Sequence, residues 1–163
     1  MIVTFCGHRD FQETDEIKER LLRELLNLAE GNETLICYAG GYGSFDRFAA
    51  RCVKDAQKTA KNIRNCLVIP YLTASLQKEL KEQEGFFDEI IYPALENVPP
   101  RFAIIRRNEW MVEQADLVIG YIAHNFGELR GLGNTQTGKI SRSSICRTTD
   151  HPEKPQRNRR PDA

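Results

Sequence analysis

The sequence predicts an α/β domain, a Rossmann-like three-layer build with a mainly parallel sheet. Short runs that are apolar throughout, such as IVTFC, TLICY and DLVIGYI, alternate with longer segments whose apolar residues recur at helical spacing. Each of the first two strand-like runs is followed at once by a glycine-containing turn. Strands without polar alternation are buried on both faces, and parallel strands joined through helices are the arrangement that buries them so.

In chain order, residues 2–6 (IVTFC) are a buried strand that stops at Gly7. Ile17, Leu21, Leu22, Leu25, Leu26 and Leu28 then mark one face of a helix running to about Ala29. TLICY (34–38) is the second strand. From Ser44, the residues Phe45, Phe48, Ala49, Cys52, Val53, Ala56 and Ala60 mark the second helix. NCLVIPY (65–71) is a third strand stopped by Pro70, followed by a charged helical excursion, SLQKELKEQEGF, and a short fourth strand in 88–93. Prolines open a further helix through PPRFAIIRRNEWMVEQA, in which Phe102, Ile105, Trp110 or Glu109, and Val112 follow the turns. DLVIGYI (116–122) is the last and clearest strand.

At 163 residues the chain is one domain long, and no apolar run approaches the roughly 20 residues of a membrane span. Met1 leads into IVTFC without a basic leader, so a cytoplasmic protein with no membrane partner is expected. The five cysteines are scattered and form no CxxC pair, which speaks against a disulfide framework or a metal site. Cys6, Cys37, Cys52 and Cys66 are expected as small core residues. The net charge is zero, yet residues 1–128 hold 15 Lys/Arg against 20 Asp/Glu and residues 129–163 hold 8 against 3. An acidic body sets nucleic acid aside as a partner of the domain.

In a parallel α/β sheet, ligands sit outside the carboxyl ends of the strands, where CGHRDF, YAGGYGSFD and IPY all fall. Gly40, Gly41 and Gly43 let the backbone turn sharply and approach a ligand closely, and the amides opening the next helix favour an anion. Ser44 can cap that helix. Asp46, in its first turn, either complements the helix dipole or accepts hydrogen bonds from ribose hydroxyls. Neither the GxGxxG order nor GxxxxGK[ST] is present. His8 and Arg9 follow the first strand into the same crevice, Arg9 with forked donors suited to phosphate. Of Arg106 and Arg107, neighbours on one helix, one faces solvent.

TFCGHRDF, YAGGYGSFDRFAARCV, VIPYL and IIYPALENVPPRFAIIRRNEWMVEQADLVIGYI, in this order, resemble the SLOG superfamily, named for the Smf/DprA and LOG proteins. The likeness is to a small bacterial branch related to YpsA and YspA, and it covers residues 1 to about 128. It implies a Rossmann-like domain whose glycine turn binds a nucleotide-derived ligand, in a sensing or regulatory role. Gly40, Gly41, Gly43 and Asp46, with Ser44 between them, match the glycine motif. Gly7, His8 and Arg9 match the motif after the first strand, and Arg107, Asn108 and Asp116 match the RN and D positions. The LOG enzymes carry PGGxGTxxE, which this chain lacks, so a nucleotide N-glycosidase, phosphoribohydrolase or phosphohydrolase is the alternative reading, and DprA-like single-stranded DNA binding ranks below it. No particular cofactor and no catalytic residue follow from the resemblance.

Beyond residue 128 the pattern departs from the superfamily, whose members continue with a second glycine turn and a closing helix. Residues 129–163 form a polar basic tail with few aliphatics and no usable period. Two explanations stand: a natural disordered tail, or a reading-frame shift near residue 128, since RGLGNTQTGK read one base later can encode a glycine turn and a helix start. Either leaves one face beside the last strand uncovered and favours association into a homo-oligomer.

Overall fold

The computed structural model describes residues 1–7, 11–82, 85–93, 95, 97–124 and 137–144. The elements run β1 (Ile2–Gly7), α1 (Asp15–Glu30), β2 (Leu35–Ala39), α2 (Ser44–Thr59), β3 (Ile63–Val68), α3 (Ala74–Glu82), β4 (Glu89–Ile91), α4 (Pro100–Gln114), β5 (Leu117–His124) and β6 (Thr137–Ser144). The sheet order is β4-β3-β2-β1-β5-β6. Its first five strands are all parallel, and β6 pairs antiparallel with β5. This is the expected Rossmann-like α/β fold. Among the described residues no helix is long and apolar enough to cross a membrane.

Two apolar clusters make the three layers. Leu21, Leu25 and Leu28 of α1 and Phe45, Phe48 and Val53 of α2 pack with Val3, Leu35 and Ile119 on one face of the sheet. On the other, Met111 and Ala115 pack against Ile2, Tyr38, Cys66 and Val68, and the Trp110 ring stacks on Tyr38 at 5.8 Å. Thr14 caps α1, its hydroxyl accepting from the Ile17 amide at 3.3 Å, as the acidic first turn Asp15–Glu16 suits.

Three expectations change. The inward residues of α4 are Ala103, Arg107 and Met111, while Phe102, Ile105 and Val112 are exposed. The helix turns its small and long-reaching residues inward because Arg107 has partners at the strand ends. Cys37, Cys52 and Cys66 are buried, and burial pushes the Cys52 thiol up to about 12, but Cys6 is exposed where β1 leaves the core. Of the tail from 129 onward, residues 137–144 lie as β6 against β5. Strand pairing draws on backbone groups alone, so TGKISRSS can join an edge without an apolar signature. The rest of the tail, Cys146 included, is outside the described residues.

Candidate functional site

The carboxyl ends of β1, β2 and β3 share one edge of the sheet, and the glycine turn after β2 lies there. Gly41 has φ 72° and Gly43 φ 105°, left-handed conformations that a side chain would strain. Gly43 is the N-cap of α2, so the helix starts at Ser44 instead of being capped by it. The Ser44 hydroxyl accepts from the Phe11 amide at 3.0 Å and ties the chain after β1 to the turn. Gly7 serves packing: a Cβ there would lie 2.4 Å from the Phe45 ring. Phe45 joins Phe11, Phe48 and Tyr121 in an aromatic cluster beneath the edge. His8 and Arg9 lie outside the described residues.

Arg107 organises the turn from below. Reaching from α4, it is 1% exposed, and its Nη1 donates to the carbonyl oxygens of Gly40 and, at 3.1 Å, Val68. It thereby joins the ends of β2 and β3. Asn108 Oδ1 accepts from Nε at 3.1 Å and from Nη2 at 2.8 Å, fixing the guanidinium plane. A Cβ on Gly40 would meet the Arg107 Cζ at 2.7 Å, so the first glycine of the turn makes room for this side chain. Arg106, one residue earlier, is exposed and paired with Glu109 at 2.8 Å.

Asp46 is the carboxylate that feels this charge. Burial pushes its pKa up to about 6, opposed by Arg107, by a hydrogen bond from the Tyr42 amide and by Arg47. Burial in turn lowers the Arg107 pKa, against the raising effect of Asp46. The Asp46 carboxyl thus faces the inside of the turn. Asp116 is not brought to this edge. It precedes β5, and its Oδ2 accepts from the Ile2 amide at 2.7 Å at the opposite, amino edge of the sheet.

A cleft of about 810 Å³ opens beside the turn. Its mouth is Gly40–Gly43, one wall is the α2 face carrying Arg47, Arg51 and Lys54, and the opposite wall holds Leu76, Leu80, Phe86 and Phe87. Lys54 donates to the Gly85 carbonyl at 2.6 Å, and the buried Asn65 amide donates to the carbonyls of Ala50 and Phe86, each at 3.3 Å, so the far wall is fastened to α2. The volume suits a small ligand. Sequence reasoning overlooked the three cations. Their spacing of four and then three residues was visible, but the wall they face lies some 20 to 40 residues further along the chain.

No family model matches the chain, and no curated protein matches it. Among solved structures it is similar to DNA processing protein A from Helicobacter pylori, described as binding single-stranded DNA, at 16% identity and a TM-score of 0.45. The match covers 74% of this chain and 53% of that one, so the chain spans about half the length of that protein. The expectation that sets nucleic acid aside is corrected by this finding. Its premise also fails physically, because a net charge summed over a body says nothing of where cations gather.

Proposed function

We propose that the protein binds a nucleotide or nucleotide-derived ligand in this cleft and acts as a sensor or regulator, within the YpsA- and YspA-related branch of the SLOG superfamily. One observation carries the reading: a positive-φ glycine turn opening a helix and a wall of three cations share one cleft with an apolar, aromatic wall. Phosphate sits at the turn, where the first amides of α2 and the Arg47 guanidinium supply charge-assisted hydrogen bonds. The base lies against Leu76, Leu80 and the Phe86–Phe87 pair. Gly40, Asp46, Arg107 and Asn108 hold the turn in shape.

A thermal-shift screen against NAD, ADP-ribose, nucleoside monophosphates and cyclic or alarmone nucleotides tests this. A ligand at a hundred times its Kd stabilises by about 2.7 kcal/mol, roughly 5–10 °C for a chain of this size. Arg47→Gln should shrink that shift without lowering the unliganded Tm. If no nucleotide moves the Tm, the reading is wrong.

A nucleotide-processing enzyme is the second reading, favoured by the Asp46 pKa of about 6, a value suited to acid–base work near neutrality. It requires release of base or phosphate from a nucleotide and loss of that release in Asp46→Asn. Turnover that survives the substitution removes Asp46 from the chemistry.

A further inference from the structure

We propose that two copies of the chain associate through the outer face of α4, the two helices antiparallel about a two-fold axis. This surface is neither the cleft, which α4 does not line, nor the face beside the last strand. Ala103, Arg107 and Met111 face the sheet, so the opposite side of the helix carries Phe102, Ile105, Glu109 and Val112. Phe102, Ile105 and Val112 are 43%, 55% and 42% exposed, a stripe that nothing among the described residues covers. The spacings of three, four and three residues are those of a and d positions in a heptad, the seam along which two helices pack.

The charges beside the stripe identify its occupant. Arg101, stacked 4.7 Å over the Phe102 ring, and Arg106 belong to the amino-terminal half, and Glu109 and Glu113 to the carboxyl-terminal half. A partner surface of a single sign matches one half and is repelled by the other. A second α4 turned end for end presents the reverse order and matches both. Such a contact is isologous, so every pair in it is made twice.

An axis level with Arg107 sets Phe102 opposite Val112 of the second copy and Ile105 opposite its Glu109. Arg106 and Glu113 each follow a d position and so lie on the same flank of the seam, where Arg106 of each copy reaches Glu113 of the other. The forked guanidinium of Arg106 keeps its 2.8 Å pair with Glu109 as it does so. Glu109 is the polar member of the seam, a placement that costs stability and fixes register. The two helix dipoles oppose each other, which favours the same arrangement. A pair of 15-residue helices, each roughly 22 Å long, is a small interface, so a reversible dimer with a Kd on the order of 10 µM is expected. Arg107, on the inner side of the helix, takes no part.

Sedimentation velocity of the full chain at low salt, over about 1–200 µM, tests the proposal. The 18.7 kDa monomer should give way to a species of twice that mass as concentration rises. Ile105→Glu sets a carboxylate against Glu109 of the second copy and should weaken the dimer by about tenfold or more, with the melting temperature of the dilute monomer unchanged. Arg106→Glu and Glu113→Arg should each weaken it about tenfold, because each turns two attractive pairs into two repulsive ones. Mixed one to one, these two variants should form a heterodimer within about threefold of the native affinity, since both cross-pairs are then of opposite charge. A chain that stays monomeric at every concentration overturns the proposal, whether another protein or another part of this chain then covers the stripe. A dimer indifferent to Ile105→Glu places the contact on a different face, and charge variants that fail to recover on mixing exclude the antiparallel pairing. Either result also overturns it.

Discussion

Asp46→Asn separates the two roles a carboxylate can have in the first turn of α2. In the folded chain its pKa is about 6, against 3.8 for the ordinary side chain, because burial costs the charged form more than Arg107, Arg47 and the Tyr42 amide return. Below about pH 3.8 both states carry the proton and there is no penalty. Between 3.8 and 6 the unfolded chain releases the proton that the folded chain keeps, so stability falls as pH rises. Above 6 the full difference, about 3 kcal/mol, counts against the fold. An amide is neutral at every pH and still accepts from Tyr42.

Asp46→Asn should therefore match the native chain near pH 4 and exceed it by about 3 kcal/mol at pH 8. Urea unfolding at pH 4, 5, 6, 7 and 8 reads this directly. With an m-value of about 1–3 kcal/mol/M, the midpoint of the variant should lie roughly 1–3 M higher at pH 8 and coincide near pH 4. Groups that titrate in both proteins cancel in the difference. A variant less stable by about 1 kcal/mol at all pH values would refute the reasoning and make Asp46 an ordinary complement of the helix dipole and of Arg107.

Gly40→Ala puts a methyl 2.7 Å from the Arg107 Cζ, and since that guanidinium is buried the substitution should cost about 1–3 kcal/mol in urea unfolding and weaken nucleotide binding. Arg107→Met strips two strand-end carbonyls of their donor, for about 3–5 kcal/mol, and removes the charge that restrains Asp46, so the acid-side midpoint assigned to Asp46 should move above 6. Asp116→Ala frees the Ile2 amide at the opposite edge. It should lower stability by about 1 kcal/mol and leave ligand affinity unchanged, a result that affinity loss in isothermal titration would contradict.

The layered fold was legible because apolar strands and amphipathic helices carry their burial in one-dimensional patterns. The expected strand at 34–38 is Leu35–Ala39, that at 65–71 is Ile63–Val68, and the helix from Ser44 begins there. Arg107 was not legible as a core residue. Periodicity assigns a guanidinium to solvent, and its partners, the carbonyls of Gly40 and Val68, lie 67 and 39 residues away. Asp116 could have been placed better from the sequence. A residue that precedes a parallel strand stands at the amino edge, and the glycine turn follows its strand and stands at the carboxyl edge. The cations of α2 read as a solvated face because the Phe86–Phe87 wall that shares their cleft lies further along the chain.

The residues that carry the resemblance and the side chains that line the cleft are different ones here. Gly7 admits Phe45, Gly40 admits Arg107, Asn108 orients Arg107, Ser44 holds Phe11, and Asp46 faces Tyr42 and Arg107. These motif positions engage one another, so what they specify is the shape of a turn. The side chains that line the cleft, Arg47, Arg51, Lys54, Phe86 and Phe87, are none of these motif residues. A chain that kept every motif residue but exchanged those cations for acids would keep the turn and lose the anion. Charge reversal at Arg47 and Lys54 together, with the melting temperature and the nucleotide shift read side by side, is where scaffold and recognition come apart: the first should fall only by the roughly 2–4 °C that the lost Lys54–Gly85 hydrogen bond is worth, and the second vanish.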